Sequence, residues 1–147
     1  GIYCRSFCSV VRSSVKVGDS ATITKVFTQQ DVELFSRLSE DTNQIHLSKY
    51  VANEAGFDDI VVHGVLCMGL LSACIGTKIA PGCIYAAQRI HFLRPVYVGD
   101  SITAITTVKS FIEDKPWIAL CSTQCFNQKK EKVIDGTATV NFPWIQK

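Results

Sequence analysis

The sequence predicts an α+β domain in which one long antiparallel sheet wraps around a single buried helix. Three observations carry that expectation. VVHGVLCMGLLSACIG, residues 61–76, is apolar nearly all the way round, a pattern that places a helix in the middle of a core. Residues 83–142 read as consecutive strands joined by short turns, which favours antiparallel pairing. A chain of 147 residues, 47% hydrophobic and 19% charged, has a globular composition and buries about two-thirds of the surface its unfolded form exposes.

Taken in order, GIYCRSFCSVVRSSVKVG carries Arg5, Arg12 and Lys16, is rich in serine and has no acid before Asp19. Residues 1–14 therefore read as a disordered stretch or the remainder of an organelle targeting leader, and residues 15–147 as one domain. Gly18-Asp19 marks a turn, and ATITKVF (21–27) alternates as a strand does. Thr28 caps a helix with Asp31 as its capping-box partner, and Val32, Phe35 and Leu38 give that helix an apolar stripe. Ser48 caps a short helix that Gly56 stops. Gly76 offers a stop for the buried helix and Pro81-Gly82 a turn. Strands follow at 83–93, 101–112, 117–126 and 133–142, with turns at 95–100, at 113–116 and through NQKKEK. The exposed edges of such a sheet are naturally covered by a second copy.

Several function classes fall away. The net charge is +2 and Lys129-Lys130 is the only adjacent basic pair, so the basic stripe of a nucleic-acid binder is missing. The run from Val65 to Ile75 is too short to span a bilayer. The seven cysteines form no C-x-x-C. Cys67 and Cys74 share a helix face and Cys121 and Cys125 a strand face, so they read as small apolar side chains and free thiols of a reducing compartment.

LSEDTNQIHLSK, residues 38–49, stands out because it gathers Asp41, Asn43 and His46, in a chain with three histidines, between two amphipathic segments. Asx-turn chemistry accounts for Asp41 and Asn43 but not for His46. A metal site would need a third ligand such as His63, and no metal signature surrounds either histidine. An acid–base pair is the third reading. Five residues apart, the two side chains diverge by about 140° on a helix but can converge from a turn. Residue types and spacing alone leave these alternatives open.

SEDTNQIHL, followed at a short distance by IVVHGVL, resembles the signature of the MaoC-like (R)-specific enoyl-thioester hydratases and dehydratases, in which an Asp-x-Asn-Pro-x-His loop precedes a Val-His-Gly that opens the central helix of a hot-dog fold. The similarity extends through KVGDSATITKVFTQQDVELFSRLSEDTNQIHL, IYAAQRIHFLRPVYVGDSI and EDKPWIAL and covers roughly residues 15–143. Gln44 stands where the family usually has proline. The basic leader draws the resemblance toward mitochondrial members of type 2 fatty-acid synthesis.

The resemblance implies interconversion of an (R)-3-hydroxyacyl thioester with a trans-2-enoyl thioester and water, without a cofactor or metal. Asp41 and His46 would form the acid–base pair, and the Gly64 amide at the helix start would hold the thioester oxygen. Asn43 would orient the substrate or the loop. His63 is expected to be structural, satisfying a backbone carbonyl, while His91, Arg89 and Arg94 are expected at the surface. The partners implied are an acyl thioester of carrier protein or coenzyme A and a second copy of the chain, with neither nucleic acid nor membrane. Competing readings are a coenzyme A hydratase of fatty-acid oxidation, a hot-dog thioesterase and a non-catalytic acyl-binding module.

Overall fold

A computed structural model describes residues 14–145; the leader expected over residues 1–14 lies, but for Ser14, outside them. The elements are β1 (Ser20–Val26), α1 (Gln29–Ser39), a 3₁₀ turn (Gln44–His46), α2 (Lys49–Glu54), α3 (Gly64–Ala73), β2 (Ile84–Phe92), β3 (Ser101–Ile112), β4 (Lys115–Phe126) and β5 (Lys132–Asn141). The strands form one sheet in the order β1-β3-β4-β5-β2, and every neighbouring pair is antiparallel. The alternation along β3 and β4 explains the layering. Ile102, Ala104, Val108, Ala119, Cys121 and Cys125 all point inward, because side chains two residues apart share a sheet face.

The buried helix α3 packs against that inner face. Cys67, Leu70, Leu71 and Cys74 join Phe27, Val32, Ile102, Ala104, Cys125 and Ile134 in one cluster. A second cluster, around Ile75, Val108, Val140 and Phe142, fills the other end. The thiols behave as apolar filling. Burial pushes Cys67 and Cys125 up to about 12 and Cys121 to about 11, so all three remain protonated and unreactive. Cys67, Cys74, Cys83, Cys121 and Cys125 are free, whereas Cys4 and Cys8 lie outside the described residues. No helix among the described residues is long and apolar enough to cross a membrane.

Three local expectations need correction. Gly76 does not stop the central helix, which continues as a π-helical turn over Cys74–Ile79. Gly76 keeps a negative φ, and the left-handed residue that reverses the chain is Gly82, at φ 89°. Extending the helix buries Ile75 and seats Ala80 in the core, and a glycine permits a stop without enforcing one. On α1, Leu38 is 79% exposed, while Ser36 is buried beside Val32. Finally, the turn expected at 113–116 is shorter, since Lys115 and Pro116 already belong to β4.

Two caps act as the sequence implies. Thr28 and Asp31 exchange both capping-box bonds, and Ser48 accepts from the Val51 amide. Each such cap is worth about 1 kcal/mol. Together they fix the two helices that flank the connector of residues 40–48. One close approach sets the other side of the molecule. A Cβ on Gly136 of β5 would stand 2.2 Å from the Arg89 carbonyl oxygen of β2, so only glycine lets β2 lie where it does.

Candidate active site

The connector begins with strain. Glu40 caps α1 in the left-handed region at φ 63°, a conformation that glycine usually supplies and that costs other residues about 1–2 kcal/mol. This reversal throws Asp41 back across the end of α1. The buried Ser36 hydroxyl then donates to the Asp41 carbonyl, which explains why a serine occupies the inward position that Leu38 was expected to share.

The Asp41 carboxylate has two distinct oxygens. Oδ1 accepts from the Asn43 amide at 3.2 Å, an Asx-type turn. Oδ2 faces two imidazoles, lying 3.9 Å from His46 Nε2 and 4.0 Å from His63 Nε2. Asn43 Oδ1 accepts from the Ile45 amide at 3.3 Å and so caps the short 3₁₀ turn that presents His46. The structure thus gives Asn43 a loop-shaping contact. Gln44 starts the turn without the rigidity of a proline, its side-chain amide donating to the Thr42 carbonyl at 3.1 Å.

His46 is buried, and its Nδ1 lies 2.6 Å from the Val61 carbonyl oxygen. A carbonyl only accepts, so Nδ1 carries a proton and Nε2 is the ring atom left to face Asp41. The same reasoning applies to His63, whose Nε2–H donates to the Asp41 carbonyl at 3.2 Å. This matches the expectation that it satisfies a backbone carbonyl. Its ring stacks on His46 with centroids 3.7 Å apart and planes at 24°, and the Phe35 ring packs against it in a T-shaped contact at 4.9 Å. Burial is the main cause holding His63 below the ordinary histidine range, and the neighbouring His46 adds to it against the Asp41 contacts.

Asp41, His46 and His63 bring three donor atoms within 4.8 Å of one another, so a shared metal ion must be considered. The hydrogen bonding opposes it. A zinc ion sits about 2.0–2.1 Å from an imidazole nitrogen, along its in-plane lone pair, and His63 Nε2 instead carries the proton it donates to the Asp41 carbonyl. The arrangement suits proton transfer better than ligation. With oxygen–donor contacts of about 2.8 Å, the 3.9 Å gap between Asp41 Oδ2 and His46 Nε2 is one that a single oxygen atom would bridge.

Next to this pair a cleft of about 410 Å³ opens, lined by His46, Phe57, Gly64, Val65, Phe92 and Ile134 among others. Asp41 is not part of the lining, and its carboxylate is half exposed. Gly64 begins α3, and His63, the residue before it, supplies no side-chain cap. Among the described residues nothing accepts from the Gly64 amide, while the Leu66 and Cys67 amides both donate to the His63 carbonyl. An unclaimed N–H at a helix N-terminus is an oxyanion donor in waiting. The space beside Gly64 is taken, however: a Cβ there would meet the Phe92 ring at 2.4 Å. Sequence reasoning missed this contact, as it missed Ser36.

The remaining candidates stay at the surface. Arg89 and His91 are exposed on β2, and Arg94 pairs with Glu131 at 3.5 Å while reaching the cleft rim.

Comparison with known proteins finds relatives over most of the chain. The family model described as "MaoC like domain" matches residues 9–118. The chain is 37% identical over 142 residues to the mitochondrial 3-hydroxyacyl-[acyl-carrier-protein] dehydratase of Arabidopsis thaliana, an alignment covering 95% of this chain and 85% of the relative. It is 38% identical over 131 residues to an (R)-specific enoyl-CoA hydratase of Aeromonas caviae, covering 88% and 97%. The solved structure of the A. caviae (R)-hydratase involved in PHA biosynthesis superposes with a TM-score of 0.84, covering 89% of this chain and 99% of that one.

Proposed function

Because the chain belongs to the MaoC-like domain family of hydro-lyases and has its hot-dog fold, we propose that it dehydrates (R)-3-hydroxyacyl thioesters, and in reverse hydrates trans-2-enoyl thioesters, in fatty-acid synthesis. The observation that carries this reading is the 3.9 Å separation of Asp41 Oδ2 and His46 Nε2, a gap that one reacting oxygen spans. In hydration, one member of the pair takes a proton from water as its oxygen bonds to the β-carbon. The other passes that proton on to the α-carbon, so both members end as they began, and because both act from one side the addition is syn.

The thioester oxygen gains negative charge as the enolate forms, and the Gly64 amide is the group assigned to hold it. Phe57, Val65, Phe92 and Ile134 give the cleft an apolar wall suited to an acyl chain. A thioesterase reading is weaker, because α3 (GVLCMGLLSA) carries no carboxylate to activate water.

We assign the chain to the mitochondrial matrix and carrier-protein thioesters, supported by its likeness to two plant proteins named as mitochondrial 3-hydroxyacyl-[acyl-carrier-protein] dehydratases. The (R)-specific enoyl-CoA hydratases at similar identity keep coenzyme A thioesters as the second reading. A homodimer is supported by β2, an outer strand of the sheet, with Ile84 51%, Phe92 53% and the adjoining Leu93 52% exposed. The test is hydration of a short trans-2-enoyl thioester, followed by loss of enoyl absorbance, on carrier-protein and coenzyme A forms of one chain length. Faster turnover of the carrier form supports the assignment. Thiol release without hydration refutes it.

A further inference from the structure

We propose that His63 is a positioning residue for the acid–base pair, holding Asp41 and His46 against each other and in register with the start of α3. The inference rests on the dehydratase reading above and adds to it a residue whose effect passes through others.

His63 touches each part of the site in a different way. Its Nε2–H and the Ser36 hydroxyl both donate to the Asp41 carbonyl, using both lone pairs of that oxygen, so the main chain of Asp41 is held from two sides. Its ring lies flat on His46 at 3.7 Å, which leaves that imidazole only in-plane freedom already limited by the Val61 carbonyl. Its own carbonyl receives the Leu66 and Cys67 amides, so the same residue nucleates the helix whose first amide is Gly64.

A core-filling role does not account for this residue. His63 is 2% exposed, and its Nδ1 is buried without a hydrogen-bond partner among the described residues, a destabilising arrangement that an apolar side chain would avoid. The charged or titratable groups facing the ring are Asp41 and His46 from the connector, while Phe35 of α1 is uncharged. Kept neutral by burial, His63 lets His46 take up a proton without a second cation stacked on it.

The test compares His63→Phe, which keeps a stacked ring and removes the N–H, with His63→Gln, which restores a donor. Expected is a fall in kcat of about 10- to 100-fold for the phenylalanine variant, the cost of slight misplacement at a reacting centre. KM should stay within about 3-fold, with part of kcat recovered by glutamine. A folded His63→Phe with wild-type kcat overturns the positioning role while leaving the dehydratase reading intact. Absence of turnover in the wild-type protein overturns that reading instead. Long-range ¹H–¹⁵N spectra of the wild type need no substrate: a neutral Nε2–H tautomer at His63 is expected, and an Nδ1–H tautomer overturns the contact on which the proposal stands.

Discussion

Asp41 Oδ2 lies 3.9 Å from His46 Nε2, slightly too far for a direct hydrogen bond and close enough for one oxygen atom to touch both. The pair is therefore open to a substrate instead of being spent on itself. Its positions are fixed from behind, through the Asn43 amide on Oδ1 and the Val61 carbonyl on Nδ1.

The first expected outcome concerns the pair. Asp41→Asn keeps an oxygen for the Asn43 amide, and His46→Gln keeps a polar group near Val61, so both variants should fold. Each should lower kcat for enoyl-thioester hydration by about 10²–10⁴, the usual worth of positioned proton transfer. Circular dichroism alongside steady-state rates is the check, and near-normal rates in both variants would remove the pair from the mechanism.

Gly64 has two candidate roles that a double substitution separates. Gly64→Ala puts a Cβ 2.4 Å from Phe92 Cε1, driving the ring out of place or into the cleft. Phe92→Ala removes that clash. If the glycine is needed for approach of the thioester oxygen, Gly64→Ala/Phe92→Ala should stay at least about 10-fold less active than Phe92→Ala alone, within the range for an impaired oxyanion donor. Equal rates would mean that Gly64 serves only the phenylalanine.

Stability should depend on pH through His63. Its folded value lies below the ordinary one, burial being the main cause. As pH falls below about 6.5 the unfolded chain takes up a proton that the folded chain refuses. The contribution is thus present at neutral pH and is lost as pH falls below about 6.5 toward the lower folded value. Urea midpoints across that window should fall more steeply for the wild type than for His63→Phe.

Glu40 offers a stabilising change. In the left-handed region at φ 63° it carries strain that Glu40→Gly releases. The expected gain is about 1 kcal/mol, or roughly 3 °C in Tm for a chain of this size. Calorimetry decides, and an unchanged or lower Tm would show that the Glu40 side chain contributes more than its backbone costs.

Much of this was legible in the sequence where the signal is local. The capping box at Thr28 and Asp31, the Ser48 cap and the strands expected at 101–112 and 117–126 each depend on neighbouring residues, and each forms as its residues imply. The connector holding Asp41 and His46 was also conspicuous, since a lone histidine among Asx-type residues has no turn role. What stayed hidden depends on long-range packing. Leu38 fits a helical stripe, yet the inward position belongs to Ser36 because the Asp41 carbonyl needs its hydroxyl. Gly76 looks like a stop, yet burial of Ile75 carries the helix onward. Phe92 reaches Gly64 from a strand 28 residues away in sequence number, and no spacing rule connects the two.

The bare Cα of Gly136 facing the Arg89 carbonyl has a consequence for natural variation. Even a methyl group there would prise the outermost strand off its neighbour, and the lifted segment ends at Phe92, on the wall of the cleft. Orthologues that retain turnover should accordingly show a single invariant column at this position, flanked by columns that drift.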